Sequence, residues 1–263
     1  MSNIDIGIVE TPTVRQMFMD RIVSMIVSGE LKPGDKLPSE REMAAQAKIS
    51  KSAVHFAMVE LERMGFVKTI LRQGTYVQDF TRHGTAESLN VLTHTKNFKY
   101  TPSNVRDIIE MRDAVESAAL VRLVDNLTDE SLEALHEDIA AAKAIVEEGR
   151  PRGDASDKKP IFEGPGNTPH LDVPKLARAF FHYHHDLCVY SGNFVLPLIF
   201  NSFKESTSYF WEVPIRALGA DRCVVYMEEM QEMVETRDAD RCTDYLHRQL
   251  DMYRDVIGGK ASY

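Results

Sequence analysis

The stretch LPSEREMAAQAKISKSAVHFAMVELERMG, Leu37–Gly65, decides how the start of the chain folds. Ser39 is a good N-cap, and Glu42 follows three residues later. That pair makes a capping box, in which hydroxyl and carboxylate each satisfy a backbone N–H. Met43, Ala44 and Ala47 then form one apolar face on a short helix. Ile49-Ser50 breaks it, and Ser50 caps a second helix. Val54, Ala57, Met58, Leu61 and Met64 recur at helical spacing, which predicts a buried stripe. Lys51, Ser52 and His55 fall on the opposite side, where short or cationic donors suit phosphates and base edges. Gly65 suits the position just past the helix end. Phe66–Leu71 and Thr75–Val77 read as two short strands around Arg72-Gln73-Gly74, a hairpin or wing. Spacing alone fits an ordinary helical hairpin with a solvated polar face equally well.

Working outward, Val14, Phe18, Ile22, Met25 and Ile26 mark a preceding helix that Gly29 ends, followed by the turn Lys32-Pro33-Gly34-Asp35. Residues 1–12 have no periodicity and read as an arm.

The string PGDKLPSERE, the two helices and the QGTYV wing together closely resemble the winged-helix domain of the GntR family of bacterial transcription regulators. The resemblance covers roughly residues 14–80. It implies a dimer on a near-palindromic operator, with the second helix in the major groove and the wing on the minor groove. It also implies DNA contacts from Arg41, Ser50, Lys51, Ser52, His55, Gln73 and Gly74. Relatives usually carry Arg at the Lys51 and His55 positions. Lys lacks the bidentate fork that Arg offers guanine, so an unusual operator is expected.

The whole chain has 263 residues, 43% hydrophobic and 27% charged, which suits a globular protein of two domains. No apolar run reaches transmembrane length, and no signal sequence stands at the start. Cys188, Cys223 and Cys242 form no metal or redox motif and suit a reducing cytoplasm. The net charge is −9, but the first 80 residues carry 10 Lys/Arg and 10 Asp/Glu, so the acidity lies in the remainder.

From Ser103 onward the pattern is helical, with helices expected near 103–126, 128–148, 173–190, 193–212, 214–237 and 239–257. The fold class is therefore mostly α: a winged helix-turn-helix head over 1–80, a linker over 81–102 with a short helix expected at Glu87–Thr93, and an all-α bundle over 103–263. Pro and Gly crowd residues 150–174, which read as a flexible loop or a lid. DIIEMRDAVESAAL (Asp107–Leu120), FFHYHHDLCVYSGN (Phe180–Asn193) and ETRDADRCTDYLHRQL near the end resemble the FCD effector domain of the FadR-like branch of the same family. That resemblance implies six or seven helices around an effector pocket.

Many such domains hold a divalent metal through one Asp and three His. Here those positions fall on Phe180, His184, Met227 and Gln249, so one ligand survives and no metal cofactor is expected; were one present, His184 would hold it. His182, His185 and Asp186 share a helix face, yet no second helix suggests itself as a further donor. The surviving pattern resembles fatty-acyl-responsive members that work without metal. It points to an apolar acid effector among Arg112, Phe180, His184, Tyr209, Trp211, Met227 and Gln249. Aromatics at such spacing also suit a plain core. Arg112 can serve an acidic head group or pair with Glu116 on its own helix.

The expected function is a homodimeric, effector-responsive DNA-binding regulator, a repressor, with operator DNA and a small molecule as partners and no membrane. The alternative is a metabolite- or metal-binding helical protein with a vestigial head. An enzyme is not expected, because no triad motif, phosphate loop or H-E-x-x-H is present.

Overall fold

A computed structural model describes residues 13–95, 101–150 and 170–257, less the side chains of residues 93, 94, 102 and 205–209. The chain forms two compact units, Met1–Lys99 and Tyr100–Tyr263. Among the described residues no helix is long and apolar enough to cross a membrane.

The first unit opens with α1 (Val14–Val27), capped by Thr13, whose side chain accepts the Gln16 N–H. α2 (Glu40–Ala47) begins with the expected capping box. The Ser39 N–H donates to Glu42 Oε2 at 2.8 Å, and the Glu42 N–H donates to Ser39 Oγ at 3.3 Å. Lys48 ends this helix in the left-handed region, with φ of 54°. α3 (Lys51–Arg63) follows after Ser50, which caps it through the Ala53 N–H. Val54, Ala57, Met58 and Leu61 point inward together and meet Met19, Ile22, Val23 and Ile26 of α1 in one core. Strands β1 (Val67–Ile70) and β2 (Gly74–Val77) pair antiparallel, with Val67 opposite Val77 and Ile70 opposite Gly74.

In the stretch 81–102, expected as a linker with a short helix near Glu87–Thr93, the described residues 81–95 carry that helix and a shorter one before it. α4 (Phe80–His83) and α5 (Ala86–His94) belong to the head. Ser88 is buried and its hydroxyl donates to the Met64 carbonyl, while Leu92 enters the head core. These two residues anchor the stretch to the head, where α5 also packs on α1. Gly65 makes that approach possible. Its φ is +79°, and a Cβ there would lie 2.0 Å from the His83 carbonyl oxygen.

The second unit contains seven helices among the described residues: α6 (Pro102–Asn126), α7 (Asp129–Glu148), α8 (Val173–Tyr190), α9 (Leu196–Ser202), α10 (Lys204–Leu218), α11 (Ala220–Glu235) and α12 (Ala239–Ile257). Residues 151–169, most of the expected loop 150–174, lie outside the described residues. α6 packs on α12 and α8, and α8 also meets α7 and α10. The core runs through Leu120, Leu123, Leu135, Leu176, Phe180, Trp211, Met230 and Leu246. On α12, Cys242, Tyr245, Leu246, Gln249, Leu250, Tyr253 and Val256 form one buried stripe at three- and four-residue steps.

Two expected boundaries are corrected. The single helix foreseen at 193–212 is two, broken at Phe203 (φ −104°, ψ 12°). Nor does a helix start at 214: Pro214 sits inside α10, which continues to Leu218 and stops at Gly219, with φ of +88°. Phe210, Trp211 and Ile215 are all buried there. Packing against α8 holds the helix across a residue that removes one of its hydrogen bonds.

Candidate nucleic-acid interface and buried bundle cavity

In the head, α3 turns its core stripe inward and so presents Ser52, His55, Phe56 and Val59 to solvent. Phe56 is 57% exposed and Val59 50%. Arg41 on α2 and Lys51 at the start of α3 are exposed too, and the Ser50 hydroxyl lies 3.1 Å from that of Ser52. Arg41, Lys48, Lys51 and Arg72 are exposed and make no ion pair among the described residues. His55 is not free: its Nδ1 lies 2.8 Å from Glu40 Oε1. Lys68 is likewise tied to Glu62, at 3.3 Å.

The wing tip is a tight turn in which the Gln73 N–H donates to the Ile70 carbonyl and Arg72 adopts a φ of 63°. Gln73 is exposed and Gly74 half-buried. A Cβ at Gly74 would come within 2.8 Å of Lys36 Cε, so the Lys36 stem lies across the wing. All seven residues foreseen as DNA contacts therefore belong to this unit, on α2, on α3 with its cap, and on the wing. Phe56, Val59, Glu40 and Lys36 were not foreseen. The first two were legible, because they fall opposite the buried stripe; the other two depend on how separate segments meet.

In the second unit, Phe180, His184, Trp211, Met227 and Gln249 line a single cavity, joined by Tyr183, Cys223, Tyr226, Met230 and Tyr253. The cavity they leave is small, about 10 Å³, room for one water molecule. Tyr209 lies outside the described residues. Arg112 stacks on the lining residue Trp211, its guanidinium carbon 4.3 Å from the ring centroid. Its Nε donates to Glu116 Oε1 at 2.7 Å, and the second carboxylate oxygen lies 2.8 Å from His184 Nδ1. Burial on its own would raise the Glu116 carboxyl. The Arg112 charge, and then His184, overcome this and hold it down at about 2. Among the described residues, both outer guanidinium nitrogens of Arg112 are buried without a hydrogen-bond partner, as is the Trp211 indole nitrogen.

The four positions at which related domains hold a metal thus meet in this cavity, but they do not fit a divalent cation. Phe180 offers no donor and Met227 a thioether. The Gln249 amide donates to the Tyr226 carbonyl at 2.9 Å, which leaves the His184 imidazole, held at Nδ1 by Glu116, as the one nitrogen ligand of the four. Hard cations want several deprotonated oxygen or nitrogen donors. The buried thiols add none: burial raises Cys223 to about 12 and Cys242 to about 11.

The model for bacterial regulatory proteins of the gntR family matches residues 14–77, and the FCD domain model matches residues 107–252. The chain belongs to the GntR family. Within it, the pairing of the two models is the FadR-like arrangement of head and FCD domain. The HTH-type transcriptional regulator LutR of Bacillus subtilis is 30% identical over 125 residues, 48% of this chain and 55% of that one. The arabinose metabolism transcriptional repressor of Geobacillus stearothermophilus is 43% identical over 56 residues, 21% of this chain and 15% of that one. A solved structure of Lar, described as controlling expression of the Listeria monocytogenes agr system, aligns with a TM-score of 0.63. Identity is 12%, over 95% of this chain and 98% of that one, which speaks to the fold alone. The chain spans about half the length of the first curated relatives it matches.

Proposed function

We propose that this GntR-family chain is a DNA-binding transcriptional repressor, acting as a homodimer, whose operator affinity is set by a small carboxylic acid in the FCD cavity. The observation that carries the DNA-binding part is the outward face of α3. Arg41 on α2 and Lys51 on α3 are exposed cations, and the wing tip holds Arg72 and Gln73. Lys and Ser donors serve phosphates and base edges, and an exposed Phe56 suits a thymine methyl in the major groove. The repressor sign rests on relatives such as the arabinose metabolism repressor.

The effector part rests on Arg112. A buried guanidinium with two unpartnered nitrogens beside an aromatic cavity suits a carboxylate, which accepts both in a fork. Binding that favours one relation of the two heads changes operator affinity by the coupling free energy, typically ~1–3 kcal/mol.

The dimer part rests on an exposed apolar strip. Phe194 is 82% and Leu198 64% exposed, with Val195 and Ile199 on the same face. Such a strip marks an interaction surface, and a second copy of this chain is its proposed occupant.

The test is a gel shift of the purified chain on the upstream region of its own gene, run with and without the small molecule that native mass spectrometry finds co-purified. A specific shift released by that molecule is expected. No shift with any genomic fragment would sink the DNA-binding reading and favour a vestigial head, to which the His55–Glu40 pair would then contribute.

A further inference from the structure

We propose that Asp138, His182 and Asp186 form a divalent-cation site on the seam between α7 and α8, on the opposite side of α8 from the cavity. His182 and Asp186 stand one helical turn apart, so both side chains leave the same face of α8. That face is not the one that lines the cavity, which carries Phe180, Tyr183 and His184. The donor missing from the sequence reading comes from α7: Asp138, 44 positions before His182. Ligating atoms of the three residues all lie within 4.8 Å of one another.

Three observations favour a cation over a plain ion pair. First, the donor set is right. Two carboxylates and an imidazole suit first-row divalent ions such as Zn²⁺ and Mn²⁺. Second, one oxygen is left over. His182 Nδ1 lies 2.9 Å from Asp138 Oδ1, but Asp138 Oδ2 is buried with no partner among the described residues. A buried carboxylate oxygen left unpaired is costly, and a cation satisfies it. Third, two acids converge: burial first, and then the charge of Asp186, push the Asp138 carboxyl above its ordinary range against the pull of His182. His182 itself is 64% exposed, so its ring can turn and water can complete the coordination. His185 stacks on Phe181, at 5.9 Å between centroids, and its Nδ1 lies 3.3 Å from Asp186 Oδ1, which leaves Asp186 Oδ2 for the cation.

A cation held by both helices would cross-link α7 to α8. Since α8 also lines the cavity, the ion would stiffen one cavity wall from behind without touching the effector.

The experiment is calorimetric titration of the chelator-stripped full chain with ZnCl₂ and with MnCl₂. One cation per chain is expected with at least one of them. Asp138→Asn and His182→Ala should each weaken binding by at least the roughly 10–100-fold that loss of even an outer-shell partner costs. The circular dichroism spectrum of each variant, unchanged from the parent, shows that the fold is kept. No stoichiometric binding of either ion overturns the proposal. So does equal affinity in the parent and both variants, and so does binding lost on His184→Ala but kept in Asp138→Asn, which would move the ion to the cavity.

Discussion

Glu116 shows how much one buried residue can decide. It and Arg112 are each about 1% exposed, and His184 leans on the same carboxylate. The folded state holds this acid at about 2, against an ordinary 4.5. A depressed carboxylate contributes stability that is whole above the unfolded value and is lost as pH falls through the folded one. The bundle should therefore lose on the order of 3 kcal/mol between about pH 4.5 and 2 from this residue. Urea midpoints measured across that range should fall in the parent and fall less in Glu116→Gln. A parallel decline in both would show that other carboxylates drive acid unfolding. Arg112→Ala should cost about 3–5 kcal/mol, because it strands a buried carboxylate, and a thermal melt checks this. On the head, Phe56→Ala touches no core residue. It should leave the melting temperature unchanged and weaken operator binding if the ring meets a thymine methyl; quantitative gel shifts decide.

At the scale of elements, caps and glycines divide the work. The Ser39–Glu42 box starts α2, and Ser39→Ala should destabilise the head by about 1 kcal/mol. Gly65 matters more, since it carries both a positive φ and the close approach of His83. Gly65→Ala should destabilise by well over the ~1 kcal/mol of ordinary glycine replacement, detected as a lower first transition on heating. Both residues were legible, because capping and chain reversal are local. The break at Phe203 and the run of α10 through Pro214 were not. There, burial of Phe210, Trp211 and Ile215 outweighs what proline does locally. α4 was hidden for a similar reason, and so was what anchors α5: the Ser88 hydroxyl meets the Met64 carbonyl, and Leu92 enters the head core.

For the whole molecule, two compact units predict that heating gives more than one transition. Charge is divided between them: the net −9 of the chain lies beyond residue 80. Arg41, Lys48, Lys51 and Arg72 of the head are exposed and make no ion pair among the described residues. If all four reach phosphates in both heads of a dimer, log affinity should fall against log salt with a slope of about −7. A slope near zero would contradict the interface. The apolar strip of Phe194 and Leu198 predicts that Leu198→Glu shifts sedimentation from dimer toward monomer. An unchanged sedimentation coefficient would move the dimer interface elsewhere.

The sequence by itself determined the head. Its capping box, its inward stripe and its wing turn are local patterns, and their spacing alone places a polar face opposite a buried one. It also located the residues that line the cavity, since Phe180, His184, Met227 and Gln249 stand at positions marked by neighbouring motifs. Only the tertiary structure decided what those residues do. Arg112 is paired with Glu116 and still has two nitrogens to offer, which helix spacing left open. Asp138 meets His182 and Asp186 because α7 packs along α8, and no periodicity within either helix records its partner. Periodicity states which side of an element is buried. Which side chains then meet across two elements depends on packing, and that is settled only when the core closes.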